Sequence, residues 1–586
     1  MRFKNICSFL VVVVGVLGCS EKAETVRGDC TVDCEGQTGN EPLVPPEDQS
    51  NLLFAQDLVN ISIEIDESNW DTLRSQYKSR ATVFGTPNCR DQPVPNPYTY
   101  FPGTMTINGE TVENVGFRKK AHLGSGSTIK PALKVKFDQY ISGQHVLGMD
   151  RFALNNSKSD PGLVRQCMSY QVFRDAGHPA PRCTYAKVDV NGVPKGVYVL
   201  LEEVKEPFLE KHYGSSQGNL YEGTASDFRP EFIGGYEQEN NKDDKSRSDL
   251  LAIYDVVQNS SDEEFESRLG ELVDMDKFYS HWAAETMMFH RDGYSGNANN
   301  HFWYANPNNG GKFELIGWGT DVTFQPKPAS WTDIPDSVLA RGIITNKLYN
   351  LPEGRAKYYE ALDGFLDSKW EPEKYVEYIE KTAEVLRPHL VSFSEEEFDE
   401  NIEFLKTYMT NRKATIETAR VGGEPEHEAP VRTLPCTTPI GRISGHIQST
   451  WDTLGEPAYD VGNASLSIDE GGQTYNITTT GARAGYHTDG RTRLTVNLLT
   501  DGTTRFVMVI YFPDTAFFEE HRQPGVFDLT LPPFVFVILH YDNASGRTEL
   551  VRFMDPGEGT LDIQSFGLNP GDPIEFDFSG ELFERL

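Results

Sequence analysis

His290-Arg291-Asp292-Gly293-Tyr294-Ser295-Gly296-Asn297 and, twenty-nine residues beyond Asp292, Trp318-Gly319-Thr320-Asp321 decide how this 586-residue chain is read. The first stretch follows an apolar, helix-like pattern carrying Phe278, Trp282 and Phe289, and the second follows the strand-like run Phe313–Ile316. Each places a carboxylate in a polar loop at the end of a buried element, where scaffold rigidity and access coincide. An aspartate so placed can position a hydroxyl and take its proton. A second carboxylate, or an asparagine oxygen, can hold a hard cation such as Mg²⁺, which bridges oxygen ligands to phosphate. Taken alone, the first stretch also reads as a plain polar loop after a buried helix.

Working upstream, Gly116-Phe117-Arg118-Lys119-Lys120 enters Leu123-Gly124-Ser125-Gly126-Ser127, followed by Lys130-Pro131-Ala132-Leu133-Lys134-Val135-Lys136-Phe137. Glycines and hydroxyls let backbone N–H groups approach a phosphate, and neighbouring cations neutralise it. Arg118, Lys119, Lys120, Lys130, Lys134 and Lys136 fall within nineteen residues of a chain with 54 Lys+Arg against 87 Asp+Glu. A hairpin with solvated basic flanks gives the same pattern, and half of these cations can face solvent at alternate strand positions. The remainder suffice to offset a triphosphate and its metal.

His290 to Asn297 also has the H-R-D-x4-N spacing of a protein-kinase catalytic loop. Gly148-Met149-Asp150-Arg151-Phe152-Ala153-Leu154-Asn155 and Asp160-Pro161-Gly162-Leu163-Val164-Arg165 lie between the two regions. They are followed by Asn191-Gly192, Gly196-Val197-Tyr198 and Glu202, then by Asp292-Gly293-Tyr294, Asn300 and Trp318-x-x-Asp321. In this order the blocks from about 58 to 420 resemble the spore-coat CotH kinase family, an atypical protein-kinase-like group that uses ATP and a divalent metal. The resemblance implies Asp292 as catalytic base and Asp321 as main metal ligand, assisted by Asn297 or Asn300. It implies Lys130 as the phosphate-contacting lysine, with Arg118 and Lys134 behind it, and Glu202 pairing with that lysine or binding metal. ATP with Mg²⁺ or Mn²⁺ is the implied cofactor set. Many family members have W-D-x-D where this chain has Gly319, so one carboxylate is missing. Arg165 also reads as a helix-anchoring ion-pair partner of Asp160.

At the N-terminus, Arg2 and Lys4 precede the apolar run Ile6–Leu17 and then Val16-Leu17-Gly18-Cys19-Ser20. The run is too short to span a bilayer, and the order is that of a secretory signal. It resembles a bacterial lipobox, implying a signal peptide over 1–18, lipidation at Cys19 and anchoring at the outer membrane, outside the cytoplasm. Cys30, Cys34, Cys89, Cys167, Cys183 and Cys436 then remain in an oxidising compartment as expected structural disulfides, with pairing open.

Residues 19–55 read as a tether, 56–425 as an α+β, protein-kinase-like domain and 426–440 as a linker. The segment 441–586 has nine arginines, no lysine and 21 acids, a net of −12 within the chain's −33. Its short strands, including Leu494–Leu498, Arg505–Tyr511, Phe534–His540 and Leu550–Phe553, suggest an all-β antiparallel sandwich. Such acidity excludes nucleic acid as main partner, because phosphate neutralisation needs clustered cations. No G-x-S-x-G elbow or H-E-x-x-H motif supports a hydrolase. The expected activity is phosphoryl transfer from ATP to Ser/Thr hydroxyls of an envelope or secreted protein. The alternative is a non-catalytic, kinase-like surface lipoprotein acting in adhesion or envelope assembly.

Overall fold

In strand β1 (Val59–Ile65) the alternate residues Val59, Ile61, Ile63 and Ile65 are buried, the period-two pattern of a strand with one apolar face. The computed structural model describes residues 49–585, apart from positions within 79–90 and the stretches 123–124, 329–330, 429–430, 433–435, 458–459, 487–491, 501–503, 513–524, 529–534 and 543–546. The expected signal peptide, the tether up to residue 48, Cys19, Cys30, Cys34 and the Leu123-Gly124 part of the glycine loop lie outside the described residues. The end of the tether segment carries a helical turn, Asn51–Phe54, with Leu53 buried.

β1 joins β2 (Phe101–Ile107), β3 (Glu110–Lys119), β4 (Leu133–Lys136), β5 (Arg151–Asn155), β6 (Cys183–Val190) and β7 (Val193–Leu201) in a barrel of order β1-β2-β3-β4-β5-β7-β6. The closing pair, β1 with β6, is parallel, and the other pairs are antiparallel. The sequence predicts tight turns at Asn108-Gly109 and Asn191-Gly192, and both are present. Each of these residues has positive φ, as a two-residue hairpin requires. Between β5 and β6 the helix Arg165–Asp175 is largely buried. Asp160 accepts from Arg165 N at 2.8 Å and from its guanidinium at 2.7 Å, so the expected ion pair anchors the helix start. Cys167 bonds Cys183, tying the helix to β6.

A second layer follows β7. Its four-stranded sheet has the order β11-β10-β8-β9, from β8 (Leu220–Gly223), β9 (Tyr236–Gln238), β10 (His301–Asn306) and β11 (Lys312–Gly317). The sequence pattern predicts helices near 249–258, 275–290, 352–366, 371–386 and 394–419, and the structure has them at Ser248–Asn259, Met275–Met288, Pro352–Ser368, Pro372–Leu386 and Glu395–Thr418. Glu206–Tyr213, Asp262–Leu272 and Ile343–Asn350 were not expected. These are short or mostly polar, with too few turns for an apolar stripe to stand out. One large core runs through this layer and includes Phe173, Trp282, Tyr294, Trp303 and Tyr358.

The C-terminal strands are antiparallel, as expected: β12 (Thr437–Thr450), β13 (Asn463–Glu470), β14 (Gln473–Thr480), β15 (Ala482–Tyr486), β16 (Thr492–Thr500), β17 (Thr504–Phe512), β18 (Gly525–Asp528), β19 (Val535–Asp542), β20 (Arg547–Phe566) and β21 (Pro573–Arg585). Their ladder is continuous, β14-β13-β12-β21-β20-β19-β17-β16-β15 with β18 on β20, where a sandwich implied two separate sheets. Register shifts accompany the pairing of the long β20 with β21 along one side, while its other side takes β19 and then β18. Its core includes Ile447, Trp451, Leu466, Phe576 and Phe578. β12 begins inside the stretch read as linker, and Cys436 just before it bonds Cys89, 347 residues away.

Candidate functional site

The β10–β11 hairpin brings the two carboxylates together. Asp292 lies in the loop before β10 and Asp321 in the turn after β11, and His301 at the start of β10 pairs with Gly317 at the end of β11. The loop is held from within. Asp292 O accepts from Asn300 N at 2.7 Å and from Asn299 N at 3.2 Å, and Asn297 Nδ2 donates to Asp292 Oδ1 at 3.0 Å. Beneath it the fully buried Glu285, on helix Met275–Met288, accepts from Tyr294 N (2.9 Å), Ser295 N (2.7 Å) and Ser295 Oγ (2.5 Å). Burial opposes the charge on Glu285, yet His281, His290 and Ser295 hold its carboxyl down at about 2.

Asp321 behaves differently. Burial, with the charge of Asp292 added, pushes its carboxyl up to about 6. Two carboxylates that repel each other in a partly desolvated cleft suit a divalent cation, which would relieve both. Asn300 Nδ2 donates to Gly319 O at 3.1 Å, leaving the amide oxygen as its ligand atom. Among the described residues no cluster of three His, Cys, Asp or Glu could hold a metal by itself. Two carboxylates and an amide oxygen are hard donors of the kind that suit an ion completing its shell with phosphate and water, as Mg²⁺ does.

These groups face a cleft of about 450 Å³ whose other wall is the barrel. On β4, Leu133 and Val135 point into the barrel core, so Lys134 and Lys136 face the cleft. Arg118 on β3 sits directly across from Lys134 and stacks over Tyr100, 4.9 Å from the ring centroid. Lys134 pairs with Glu203 at 2.9 Å. Burial works against its charge, but Glu203, Glu222 and Glu239 outweigh that and raise its pKa. Lys120 lies over the Trp318 ring at 4.4 Å, and burial together with Lys134 draws its pKa down. In the far part of the cleft, burial and the charge of Glu239 push Glu222 up to about 7. Against burial, Lys205 pulls Glu239 down to about 2.

The structure thus gathers Arg118, Lys134, Asp292, Asn300 and Asp321 on one cleft, and it sets three expected residues elsewhere. Lys130 precedes β4 and is buried, with Nζ on Val197 O at 2.6 Å and over the Tyr198 ring; burial lowers it to about 7. Glu202 pairs with Arg182 at 2.5 Å and lies 3.8 Å from His212; against burial these hold it at about 2. Successive side chains point to opposite sides as β7 runs out, so Glu203 takes the cleft position. Asn297 has its amide N–H on Asp292 and its oxygen accepting from Arg341 at 3.4 Å, so it orients the carboxylate and does not line the cleft. Sequence reading missed Glu203, Glu222, Glu239 and Glu285. Only the alternation of Leu133-Lys134-Val135-Lys136 signalled which lysines face outward.

The turn carrying Asp321 has a tight fit. Gly319 has φ +55°, and a Cβ there would come within 2.5 Å of the Asn300 amide. Asn300 occupies the space that a side chain at this position would need.

Comparison with known proteins bears on the same residues. The chain is 25% identical over 334 residues to the inner spore coat protein H of Bacillus subtilis, covering 53% of this chain and 88% of that protein. It is 24% identical over 294 residues to the invasin CotH2 of Rhizopus delemar, covering 44% of this chain and 48% of the invasin. Among solved structures, the Helicobacter pylori proinflammatory kinase CtkA aligns at 10% identity and a TM-score of 0.27, over 50% of this chain and 93% of CtkA. The Shewanella oneidensis HipA–HipB–operator complex aligns at 9% identity and a TM-score of 0.23, over 46% of this chain and 60% of that chain. The family model described as CotH kinase protein matches residues 122–416, half of the sequence, and takes in Lys134, Glu203, Asp292, Asn300 and Asp321: the chain belongs to the CotH kinase family.

Proposed function

We propose that the chain is a metal-dependent phosphotransferase that moves a phosphoryl group from ATP to Ser/Thr hydroxyls of an envelope or secreted protein. The observation that carries this reading is the shared cleft: Asp292, Asn300 and Asp321 on one wall face Arg118 and the Lys134–Glu203 pair on the other. Asp292 positions the acceptor hydroxyl and takes its proton, with Asn297 fixing the carboxylate rotamer. Arg118, Lys120 and Lys134 stabilise charge on the phosphoryl oxygens, and the Lys134–Glu203 pair keeps that lysine charged and aimed. Asp321 and Asn300 would hold Mg²⁺ or Mn²⁺, which when bound neutralises the donor's phosphates.

The proposed setting is outside the cytoplasm, anchored through lipid on Cys19. The apolar run ending at Cys19 supports it, as do two disulfides among the described residues. Intact-mass analysis of the membrane fraction, with Cys19→Ser as comparison, tests the anchor; a soluble, unmodified wild-type chain would refute it. A second reading, a kinase-like surface protein without catalysis, is favoured by Gly319 and by the similarity to a protein named an invasin.

The deciding experiment is labelled-phosphate transfer by the full chain, with and without Mn²⁺, beside Asp292→Ala and Asp321→Ala. Metal-dependent labelling that both substitutions abolish is expected. Equal behaviour of wild type and variants, together with no nucleotide binding, overturns the reading.

A further inference from the structure

Between the last long helix and the β domain, the described residues His427 and Arg432 are tied to the body of the fold, and Arg432 to the loop that carries Asp292. His427 Nε2 accepts from Ala340 N at 3.2 Å, and Arg432 is held at its N–H, its carbonyl and its guanidinium. Its N–H donates to Arg341 O at 3.0 Å. Its carbonyl accepts from the Arg229 guanidinium at 2.6 Å. Its own guanidinium donates to the carbonyl of Asn297.

Asn297 is the residue whose side chain holds the Asp292 carboxylate, at 3.0 Å. Arg341 fixes the other end of that side chain, donating to Asn297 Oδ1 at 3.4 Å, and its N–H donates to Ser295 O at 2.8 Å. Asn297 is thus gripped at its peptide by Arg432 and at its amide by Arg341. We propose that Arg432 is a positioning residue for Asp292, acting through Asn297, so that the interdomain segment is part of the phosphotransfer machinery. A charged donor on a carbonyl makes a stronger bond than a neutral one, and it removes freedom from a residue whose side chain holds the Asp292 carboxylate. Four residues further on, Cys436 bonds Cys89. The chain beyond Cys89 leads to Asn96, Tyr98 and Tyr100, which line the barrel wall of the cleft.

The effect on turnover rests on the phosphotransferase reading; the tie between Arg432 and the loop does not. The test uses the full chain with Arg432→Ala, Arg432→Lys and, as control, Arg442→Ala on the exposed side of β12. Amide hydrogen exchange of residues 291–300 is measured without nucleotide, and kcat and KM for ATP are measured separately. For Arg432→Ala, exchange in this loop should rise about tenfold while the β6–β7 hairpin keeps wild-type protection. Its kcat should fall about tenfold or more with KM for ATP within about twofold, a loss confined to the reacting geometry. Lysine, which keeps a charged donor, should recover most of both effects. Unchanged exchange in the loop, a uniform rise across the chain, or a loss confined to KM each overturns the proposal. If the wild-type chain transfers no phosphate, the phosphotransferase reading fails, and the exchange measurement still decides the tie.

Discussion

Asp321 shows how a site residue can work against its own fold. Its carboxyl, pushed up to about 6 by burial and Asp292, stands above its ordinary value of 3.8. A raised carboxyl stabilises the protein below the unfolded value and loses that contribution as pH rises through the folded one. The metal-free protein should therefore lose about 1–3 kcal/mol between pH 4 and pH 7 from this group. Asp321→Asn should remove that slope and raise the melting temperature of metal-free protein at pH 7.5, while abolishing transfer. A variant less stable than wild type at that pH contradicts the account. Lys130 and Lys134 make a second residue-scale contrast. Lys134→Met should weaken binding of Mg-ATP about tenfold or more, since it removes a charged phosphate contact. Lys130→Met, away from the cleft, should leave that affinity within about twofold. Titration calorimetry separates the two, and equal losses would put Lys130 back at the phosphate. Restoring the family's carboxylate with Gly319→Asp should destabilise the chain by about 1–3 kcal/mol, because the positive φ and the Asn300 contact leave no room. Adding Asn300→Gly should recover part of that loss in a thermal melt.

At the scale of elements, the loop after helix Met275–Met288 depends on a carboxylate that touches no reactant. Glu285→Gln keeps the shape of Glu285 and removes its charge, leaving Tyr294 N, Ser295 N and Ser295 Oγ with one acceptor oxygen fewer. A fall in stability of about 2–4 kcal/mol is expected, with a lower kcat, and urea unfolding with steady-state rates reads both. What was legible in the sequence follows the same division. Alternation in Val59–Ile65 and at Leu133–Lys136, the two Asn-Gly turns and the long apolar helices stand out, because local periodicity fixes them. Asp292 and Asp321 were legible as a pair by their spacing around a strand run. Lys130 and Glu202 went astray because a residue type in the right block says nothing about which side of the chain it faces. Glu285 stayed hidden because a buried carboxylate inside a helix reads as one more amphipathic position until its partners are known. The ten-strand ladder stayed hidden too, since strand pairing at long range leaves no periodic mark.

For the whole molecule, the Cys89–Cys436 bond joins a loop before β2 to the start of β12, and Gly85 bridges Thr437 beside it. The β domain is thereby stapled to the barrel side of the chain as well as following the helical layer in sequence. Cys436→Ser should lower thermal stability by the equivalent of about 2–4 kcal/mol. It should also make the 421–437 segment the first site of proteolytic nicking, which limited proteolysis and mass mapping will show. Nicking in the same place and at the same rate in wild type would mean the staple holds nothing.

That staple also sets a clock. Cys167 and Cys183 lie 16 residues apart and can meet as soon as β6 has emerged. Cys89 must stay unpaired until 347 further residues have been made, and meanwhile Cys167 and Cys183 are available as competing partners. The order in which this chain is synthesised thus runs against the order in which its cysteines must join. An isomerase should therefore raise the yield of correctly paired chain in oxidative refolding, and equal yields without one would show that Cys89 finds Cys436 unaided.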